Sequence, residues 1–144
     1  MSKEFTVLRP ESTYEEAVLL FYKKNLRGAI VVDENDALVG YLSEKDLFRV
    51  LYPFYKSFYE HPENYVNGEK REEKVDEVRY HQIGEFMSRS VLTVTPDMPI
   101  MNAGALMLAN RVHQFPVVEG KKVVGVISRD MIYRRVFENH FKEI

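Results

Sequence analysis

The sequence predicts an α/β protein of the α+β kind, in which one β-α-β-β-α unit is built twice. First, the chain repeats itself, since Pro10 and Val31 recur 86 positions later as Pro96 and Val117. Second, each copy alternates stretches of helical periodicity with short apolar runs bounded by turn residues. Third, the strands are few and joined as hairpins, which excludes a doubly wound sheet. We therefore expect two units related by a pseudo-two-fold axis, each with a small mixed sheet.

The repeat also predicts the domain organisation. The hairpin turn is one residue shorter in the second copy, so the shift falls to 85 and Ser43 matches Ser128. We expect repeat 1 at residues 1–52, a helical insertion at 53–82 and repeat 2 at 83–144. Because each copy is too small to close a core alone, the two copies should pack on each other as one module with two related clefts.

The first copy begins with an amphipathic helix. Ser12 or Thr13 caps a helix over residues 14–25, since short hydroxyl side chains satisfy the free N–H groups of a first turn. Its apolar stripe is formed by Ala17, Leu20, Phe21 and the aliphatic stem of Lys24. A buried strand, a turn, a returning strand and a second helix follow at residues 28–32, 33–36, 38–42 and from Ser43 onward.

The second copy repeats this order of elements. Its first helix, strand, turn, second strand and second helix are expected at residues 99–110, 114–118, 119–121, 123–127 and 129–141. The matching order predicts the same local fold in both copies.

The insertion between the copies combines an aromatic stripe with a charged stretch. Leu51, Phe54, Tyr55 and Phe58 have helical i, i+3, i+4, i+7 spacing. Two interpretations stay open for this stripe: packing within the module, or an oligomer contact. Residues 69–80 are rich in charges of both signs, which predicts a solvated helix.

Composition narrows the class of protein. A net charge of -2 and the lack of a basic stripe argue against nucleic acid as a partner. The chain has no cysteine, no signal-peptide pattern at its N-terminus and no apolar run of the roughly 18–20 residues that span a bilayer. We therefore expect a cytoplasmic protein without a membrane partner.

The sequence carries no pattern typical of catalysis. The four histidines lack metal-ligand spacing, the seven glycines are scattered rather than gathered in a phosphate-binding loop, and no Ser-His-acid set is suggested. We expect no enzyme activity, no metal and no cofactor. A chain without a catalytic domain that regulates anything must do so in trans.

Five short motifs together resemble a known family. The second copy reads Val-Leu-Thr-Val-Thr-Pro at 91–96, Val-His-Gln-Phe-Pro-Val-Val-Glu at 112–119 and Val-Gly-Val-Ile-Ser at 124–128. The first copy reads Leu-Arg-Gly-Ala-Ile-Val-Val-Asp at 26–33 and Val-Gly-Tyr-Leu-Ser-Glu-Lys-Asp-Leu at 39–47. Their order and duplication resemble a pair of CBS domains, also called a Bateman module. The resemblance implies two clefts for adenosine-containing ligands and a homodimer shaped as a flat disc.

Asp46 has two interpretations. With Ser43 it forms a capping box at the start of a helix, which is a purely structural role. In CBS pairs the matching aspartate grips the two hydroxyls of a ribose, and the resemblance implies that role here. Lys45 in the same turn is either a solvated side chain or a phosphate contact. The second copy places Met131 at the position of Asp46 and therefore lacks the carboxylate.

The resemblance further implies that each cleft is assembled crosswise from both copies. One cleft would then collect all the intact motifs: Ser43, Lys45, Asp46, Ser88, Val91, Val112, His113, Gln114 and Pro116. The other would combine Phe5, Arg27, Gly28 and Ile30 with Ser128 and Met131, and would be degraded or empty. His113 is interpreted either as a contact to base or phosphate, or as a surface histidine.

The leading hypothesis is a sensor that binds an adenine nucleotide, AMP, ADP or ATP, in one cleft and regulates an unidentified protein in trans. S-adenosylmethionine and NAD share the adenosine part and are not distinguished by these residues. A ligand-free dimerisation or docking scaffold is the alternative, and a small enzyme acting on a nucleotide is a third hypothesis.

Overall fold

The computed structural model describes residues 1–52 and 68–141, and its elements follow the predicted order. The first half comprises β1 (Val7–Leu8), α1 (Tyr14–Lys24), β2 (Gly28–Val32), β3 (Leu38–Ser43) and α2 (Glu44–Arg49). The second half comprises α3 (Gly68–Val78), a 3-10 helix (Ile83–Glu85), α4 (Ile100–Asn110), β4 (Gln114–Glu119), β5 (Lys122–Ser128) and α5 (Arg129–His140).

These elements form two compact units that interleave along the chain. The N-terminal unit comprises Val7–Asp33 and Val39–Ser90. The C-terminal unit comprises Met1–Thr6, Glu34–Leu38 and Val91–Ile144. The repeat boundaries at 52/53 and 82/83 stay a prediction, since the units are built from different pieces of chain than the sequence repeats.

The N-terminal unit carries a three-stranded sheet in the order β1-β2-β3. β1 pairs with β2 in parallel, with Leu8 opposite Val31. One face of the sheet packs against the helices through a buried apolar cluster of Leu8, Tyr14, Ala17, Phe21, Ala29, Val31, Leu42, Leu47, Val78, Ile83 and Met87.

Helix α1 is capped as predicted but buries a slightly different stripe. The Thr13 hydroxyl accepts a hydrogen bond from the Glu16 N–H at 3.1 Å. Lys24 is exposed, so the prediction that its stem joins the core is wrong. The stripe begins one turn earlier, at Tyr14, whose hydroxyl donates to the Leu47 carbonyl at 2.6 Å and so can lie inside the core.

The C-terminal unit repeats this local architecture. β4 and β5 form an antiparallel pair, with Gln114 opposite Ser128. Val94 makes a parallel bridge to Val117, which is the pairing of β1 with β2 shifted by 86 residues. The buried cluster comprises Val94, Ala103, Met107, Phe115, Val117 and Ile132.

Each sheet is completed by a segment from the beginning of the other repeat. Ser88 exchanges two backbone hydrogen bonds with Tyr41 of β3, both 2.9 Å long. Ser2 does the same with Val126 of β5, at 2.8 and 2.9 Å. Ser2 and Ser88 are 86 positions apart, and Tyr41 and Val126 are 85 apart, so the two contacts are equivalent. The repeats have therefore exchanged their leading segments.

Two equivalent glycines permit these contacts. A β-carbon built on Gly40 would lie 2.8 Å from the Ser88 carbonyl oxygen, and one on Gly125 would lie 2.8 Å from that of Ser2. Both are closer than real β-carbons approach backbone oxygen. The glycine in each second strand is thus explained by the close crossing of the exchanged segment.

The described part of the insertion is joined to α1 by backbone hydrogen bonds. Phe54, Tyr55 and Phe58 lie outside the described residues. Within α3 most of the side chains from Glu73 onward are exposed, as predicted for a solvated helix, whereas Val78 at its end is buried. The Arg79 and His81 carbonyls then accept hydrogen bonds from the first N–H groups of α1. No helix within the described residues is both long and apolar enough to cross a lipid bilayer.

Candidate functional site

Asp46 stands at the start of α2 in a complete capping box. Its backbone N–H donates to the Ser43 hydroxyl at 3.1 Å, and its own Oδ2 accepts the Ser43 backbone N–H at 2.9 Å. The strand β3 ends at Ser43, so the box fixes the turn from strand into helix. The structural interpretation of Asp46 is therefore confirmed, and a role in binding has to use the acceptor capacity that capping leaves.

That remaining capacity is substantial. Asp46 Oδ1 lies 3.7 Å from the Arg49 guanidinium, and the Asp46 side chain is 14% exposed. A carboxylate offers about four acceptor positions, of which the cap uses one. A held, partly exposed carboxylate of this kind can accept hydrogen bonds from paired hydroxyl groups.

The equivalent position in the C-terminal unit lacks this chemistry. The Ser128 hydroxyl caps α5 by accepting the Met131 N–H at 3.3 Å. Met131 thus occupies the same third helical position as Asp46, as the 85-residue repeat predicts. Asp130 stands one residue earlier and is exposed. The two helix starts share a cap and differ in the carboxylate.

In each unit a backbone hydrogen bond joins the start of the second helix, α2 or α5, to the residue that precedes strand β2 or β4. The Glu44 N–H donates to the Arg27 carbonyl at 3.0 Å, and the Arg129 N–H donates to the His113 carbonyl at 3.0 Å. In the C-terminal unit the side chains also meet, with Arg129 Nη2 2.8 Å from His113 Nδ1. His113 was among the residues predicted from the sequence, whereas Arg129 was not, because only the strand register brings Arg129 beside His113.

The other predicted residues are divided between the two units. In the N-terminal unit, Lys45 is exposed, and Ser88 is exposed and held through its backbone to Tyr41. In the C-terminal unit the predicted residues differ in exposure to solvent. His113 is exposed, Pro116 is fully buried, and the half-buried residues are Val91, Val112 and Gln114. The structure brings Ser43, Lys45 and Asp46 together at one turn, and Val112 to Pro116 along one strand and its approach. The crosswise assembly of these two groups stays a prediction.

Gly28, at the start of β2, is one of the residues expected in the degraded cleft. The side chain of Tyr41, in the same unit, covers it. A β-carbon on Gly28 would lie 2.2 Å from the Tyr41 hydroxyl oxygen and 2.6 Å from the adjoining ring carbon. At the equivalent positions the C-terminal unit has Gln114 and Val126. The N-terminal unit thus pairs a glycine with a large tyrosine ring, whereas the C-terminal unit has a long glutamine and a small valine at the same two positions.

Metal binding finds no support in the part of the chain that the structure describes. No three histidine or acidic side chains there are grouped so that they could hold an ion.

Two solved structures share this fold over nearly the whole chain. CBSX2 of Arabidopsis thaliana, solved in complex with AMP, superposes with a TM-score of 0.74 at 22% identity, covering 97% of this chain and 94% of that one. The CBS domain pair of MJ0100, solved with 5'-methylthioadenosine and S-adenosyl-L-methionine, gives a TM-score of 0.64 at 23% identity, covering 94% and 93%. The mixed α/β class with small sheets is confirmed.

Sequence comparison leads to the same family. The uncharacterized protein MJ1232 of Methanocaldococcus jannaschii is 32% identical over 133 residues, which is 92% of this chain. The chain spans only 36% of the length of MJ1232, and a second relative from that organism is matched over 38% of its length. The family model of the CBS domain matches residues 1–53 and again residues 83–138. The chain therefore belongs to the CBS domain family, with two copies of the domain.

Proposed function

We propose that this chain is a regulatory module that binds one adenosine-containing ligand. The observation that carries the proposal is the Asp46 carboxylate, held at the start of α2 with acceptor capacity to spare, against Met131 at the equivalent place. An adenosine ligand suits this carboxylate because its ribose presents two neighbouring hydroxyl donors. The AMP bound to CBSX2 and the adenosine compounds bound to MJ0100 support this ligand class.

The proposed site has three chemical parts. Asp46 accepts the ribose hydroxyls, with Ser43 fixing its position. The exposed ammonium group of Lys45 meets a phosphate, and AMP, ADP and ATP are the favoured ligands for that reason. The base is received by the residues of the second repeat, with Ser88 at the approach: Val91, Val112, His113, Gln114 and Pro116. The second cleft has no comparable affinity, because Met131 stands where the N-terminal unit has the Asp46 carboxylate. Its residues are Phe5, Arg27, Gly28, Ile30, Ser128 and Met131.

The module acts on another protein and performs no chemistry of its own. A carboxylate that grips hydroxyl groups binds without reacting. Binding stabilises whichever conformation of the module holds the ligand better, and only that difference in affinity can be passed on to a regulated partner. We also propose that the protein is cytoplasmic and uses no cofactor.

Ligand titration with a matched pair of variants tests the binding proposal. Wild type, Asp46→Asn and Asp130→Asn are heated with AMP, ADP, ATP, S-adenosylmethionine and NAD. Asparagine keeps an oxygen for the cap, so Asp46→Asn removes mainly the charge, and Asp130→Asn removes a similar charge from α5. A ligand at 100 times its Kd adds about 2.7 kcal/mol to the free energy of unfolding. We expect that gain in wild type and Asp130→Asn, at one ligand per chain, and its loss in Asp46→Asn. A wild type that no ligand stabilises would contradict the proposal.

A docking scaffold is the second candidate, and two aromatic pairs favour it, in which three of the four rings are exposed and that of Tyr52 is half-buried. Phe48 and Tyr52 have ring centres 5.2 Å apart, and Tyr133 and Phe137 have theirs 6.2 Å apart. The pairs are equivalent under the 85-residue shift, and Phe48 is 62% exposed. Exposed aromatic side chains of this size are typical of interfaces. We propose that they contact a second copy of the chain in a homodimer.

Sedimentation velocity tests the homodimer. Tyr133→Glu places a charge on the aromatic surface and is expected to convert a dimer into a monomer. Tyr80→Glu changes another exposed ring, outside α2 and α5, and is expected to leave the dimer intact. A monomeric wild type at tens of micromolar would contradict this part of the proposal without affecting ligand binding.

A further inference from the structure

His113 and Arg129 are joined twice within the C-terminal unit. The backbone N–H of Arg129 donates to the His113 carbonyl at 3.0 Å, which holds the start of α5 against the approach to β4. The Arg129 guanidinium then returns to the ring of the same histidine, with Nη2 2.8 Å from Nδ1. The first contact holds the backbone of His113, and the second orients its exposed imidazole ring.

The side-chain contact has only one chemically consistent form. A guanidinium has five N–H donors and no acceptor, and it stays protonated in proteins. His113 Nδ1 must therefore be the acceptor and cannot carry a proton. The imidazole is then neutral, its single proton lies on Nε2, and that nitrogen presents an N–H donor on the side of the ring away from Arg129.

The N-terminal unit has the backbone tether without this device. Its equivalent residues are Arg27 and Glu44, joined by the same 3.0 Å backbone hydrogen bond. Arg27 is a permanent cation, so it can offer no neutral donor whose proton position is selected by a neighbour. The side-chain contact between arginine and histidine therefore belongs to the C-terminal unit, which contains the intact Val112–Pro116 motif.

We propose that Arg129 is a positioning residue that holds His113 as a neutral Nε2–H donor, and that the ligand presents a hydrogen-bond acceptor to it. The acceptor is a phosphate oxygen or a ring nitrogen of the purine. The exocyclic amino group of adenine, a donor, is not what His113 contacts. The statement about the ligand rests on the proposed function, whereas the statement about the proton does not.

Nitrogen NMR of the free protein tests the position of the proton. The ¹⁵N shifts of the His113 ring are recorded at pH 8, where an ordinary imidazole is neutral. The signal is assigned by its loss in His113→Gln. We expect the Nε2–H tautomer in wild type, a mixture of tautomers in Arg129→Met, and partial recovery in Arg129→Lys, which keeps a donor. Arg135→Met removes a cation from the same helix and should change nothing. A wild-type ring protonated on Nδ1, or an unchanged ring in Arg129→Met, would overturn the proposal.

Affinity measurements test the ligand half. AMP binding is expected to weaken roughly tenfold in both His113→Ala and Arg129→Met, as for loss of one hydrogen bond. The double variant should bind no more weakly than His113→Ala, because Arg129 acts only through the histidine. A further loss in the double variant would show that Arg129 contacts the ligand itself and would overturn the positioning role.

Adenosine distinguishes the two acceptors. If the loss in His113→Ala is the same for adenosine as for AMP, the acceptor is on the nucleoside, and if it vanishes for adenosine, the acceptor is phosphate. A wild type that binds neither would overturn the proposed function and the ligand half together, while the tautomer measured without ligand would still decide the role of Arg129.

Discussion

Tyr41 covers Gly28 so closely that a larger residue fits only if the tyrosine ring moves. A β-carbon on Gly28 would lie 2.2 to 2.7 Å from three atoms of the tyrosine side chain, inside contact distance. The backbone of Gly28 has ordinary strand geometry, so alanine is opposed by the ring alone and not by the dihedral angles.

Gly28→Ala is therefore expected to lower the free energy of unfolding by about 1 kcal/mol, at the low end of the cost of overpacking, because the half-buried Tyr41 ring can move aside. In a Tyr41→Val background the same change should be neutral or stabilising, since alanine restricts the unfolded chain more than glycine does. Urea denaturation of the four proteins measures the coupling. Equal costs of Gly28→Ala in both backgrounds would show that the ring is not the obstacle.

The equivalent glycines of the second strands predict a paired effect. Gly40→Ala and Gly125→Ala each push a β-carbon toward a backbone oxygen, of Ser88 and Ser2 respectively, at 2.8 Å. Each should cost about 1–3 kcal/mol in thermal or urea unfolding. Gly120→Ala is the contrast, because its space is open and its positive φ alone opposes the change. A stable Gly40→Ala protein would mean that the exchanged segment can move away.

The ion pair that fastens the insertion to α1 predicts a pH dependence. The Arg79 guanidinium contacts Glu15 at 2.6 Å, and this hydrogen bond holds the pKa of Glu15 below its ordinary value of 4.5. A lowered folded-state pKa adds stability that is present above pH 4.5 and is lost as the pH falls through the folded-state pKa. Wild type should therefore exceed Glu15→Gln in stability at pH 6 and lose that advantage progressively as the pH falls below 4.5.

Glu11→Gln, which removes an exposed carboxylate near the same helix, serves as the control for general charge effects. Added salt should also narrow the difference at pH 6, because both partners are exposed to solvent. A constant difference between wild type and Glu15→Gln from pH 6 to pH 3 would rule out the ion pair as its source.

The buried hydroxyl of Tyr14 predicts a second pH effect of opposite direction. Tyr14→Phe removes the 2.6 Å hydrogen bond to the Leu47 carbonyl and should cost about 1–2 kcal/mol. Burial raises the pKa of Tyr14 above its ordinary value of 10. The stability that this neutral hydroxyl adds is complete below pH 10 and is lost as the pH rises through the folded-state pKa. The gap between wild type and Tyr14→Phe should thus close only in strong alkali. A gap that already changes between pH 6 and pH 9 would point to another group.

Much of the fold and part of the candidate site could be predicted from the sequence. The caps at Ser43 and Ser128 and the contrast of Asp46 with Met131 follow from local spacing and the repeat, because both act within one helical turn. Arg129 could not be found this way. Its meeting with His113 depends on the register that places Gln114 opposite Ser128, and neither residue type signals that register.

The contacts of the exchanged segments could not be predicted from residue patterns either. The contacts of Ser2 and Ser88 are single bridges outside any regular strand, too short to leave a period of two in the sequence. The glycines at 40 and 125 are the visible trace, yet a glycine in a strand is equally consistent with a bulge.

The exchange has a consequence for how the chain is made. The contact between Ser2 and Val126 joins residues that are far apart in sequence, so the C-terminal unit cannot be completed until Val126 has left the ribosome. The N-terminal unit needs nothing beyond Ser90 and can assemble earlier. Closing so long a loop is slow, because the ordering cost precedes the contacts that repay it. During that wait the backbone of Ser2 lacks its partner in β5, which makes synthesis the stage at which this protein is most exposed to misassembly with a second nascent copy.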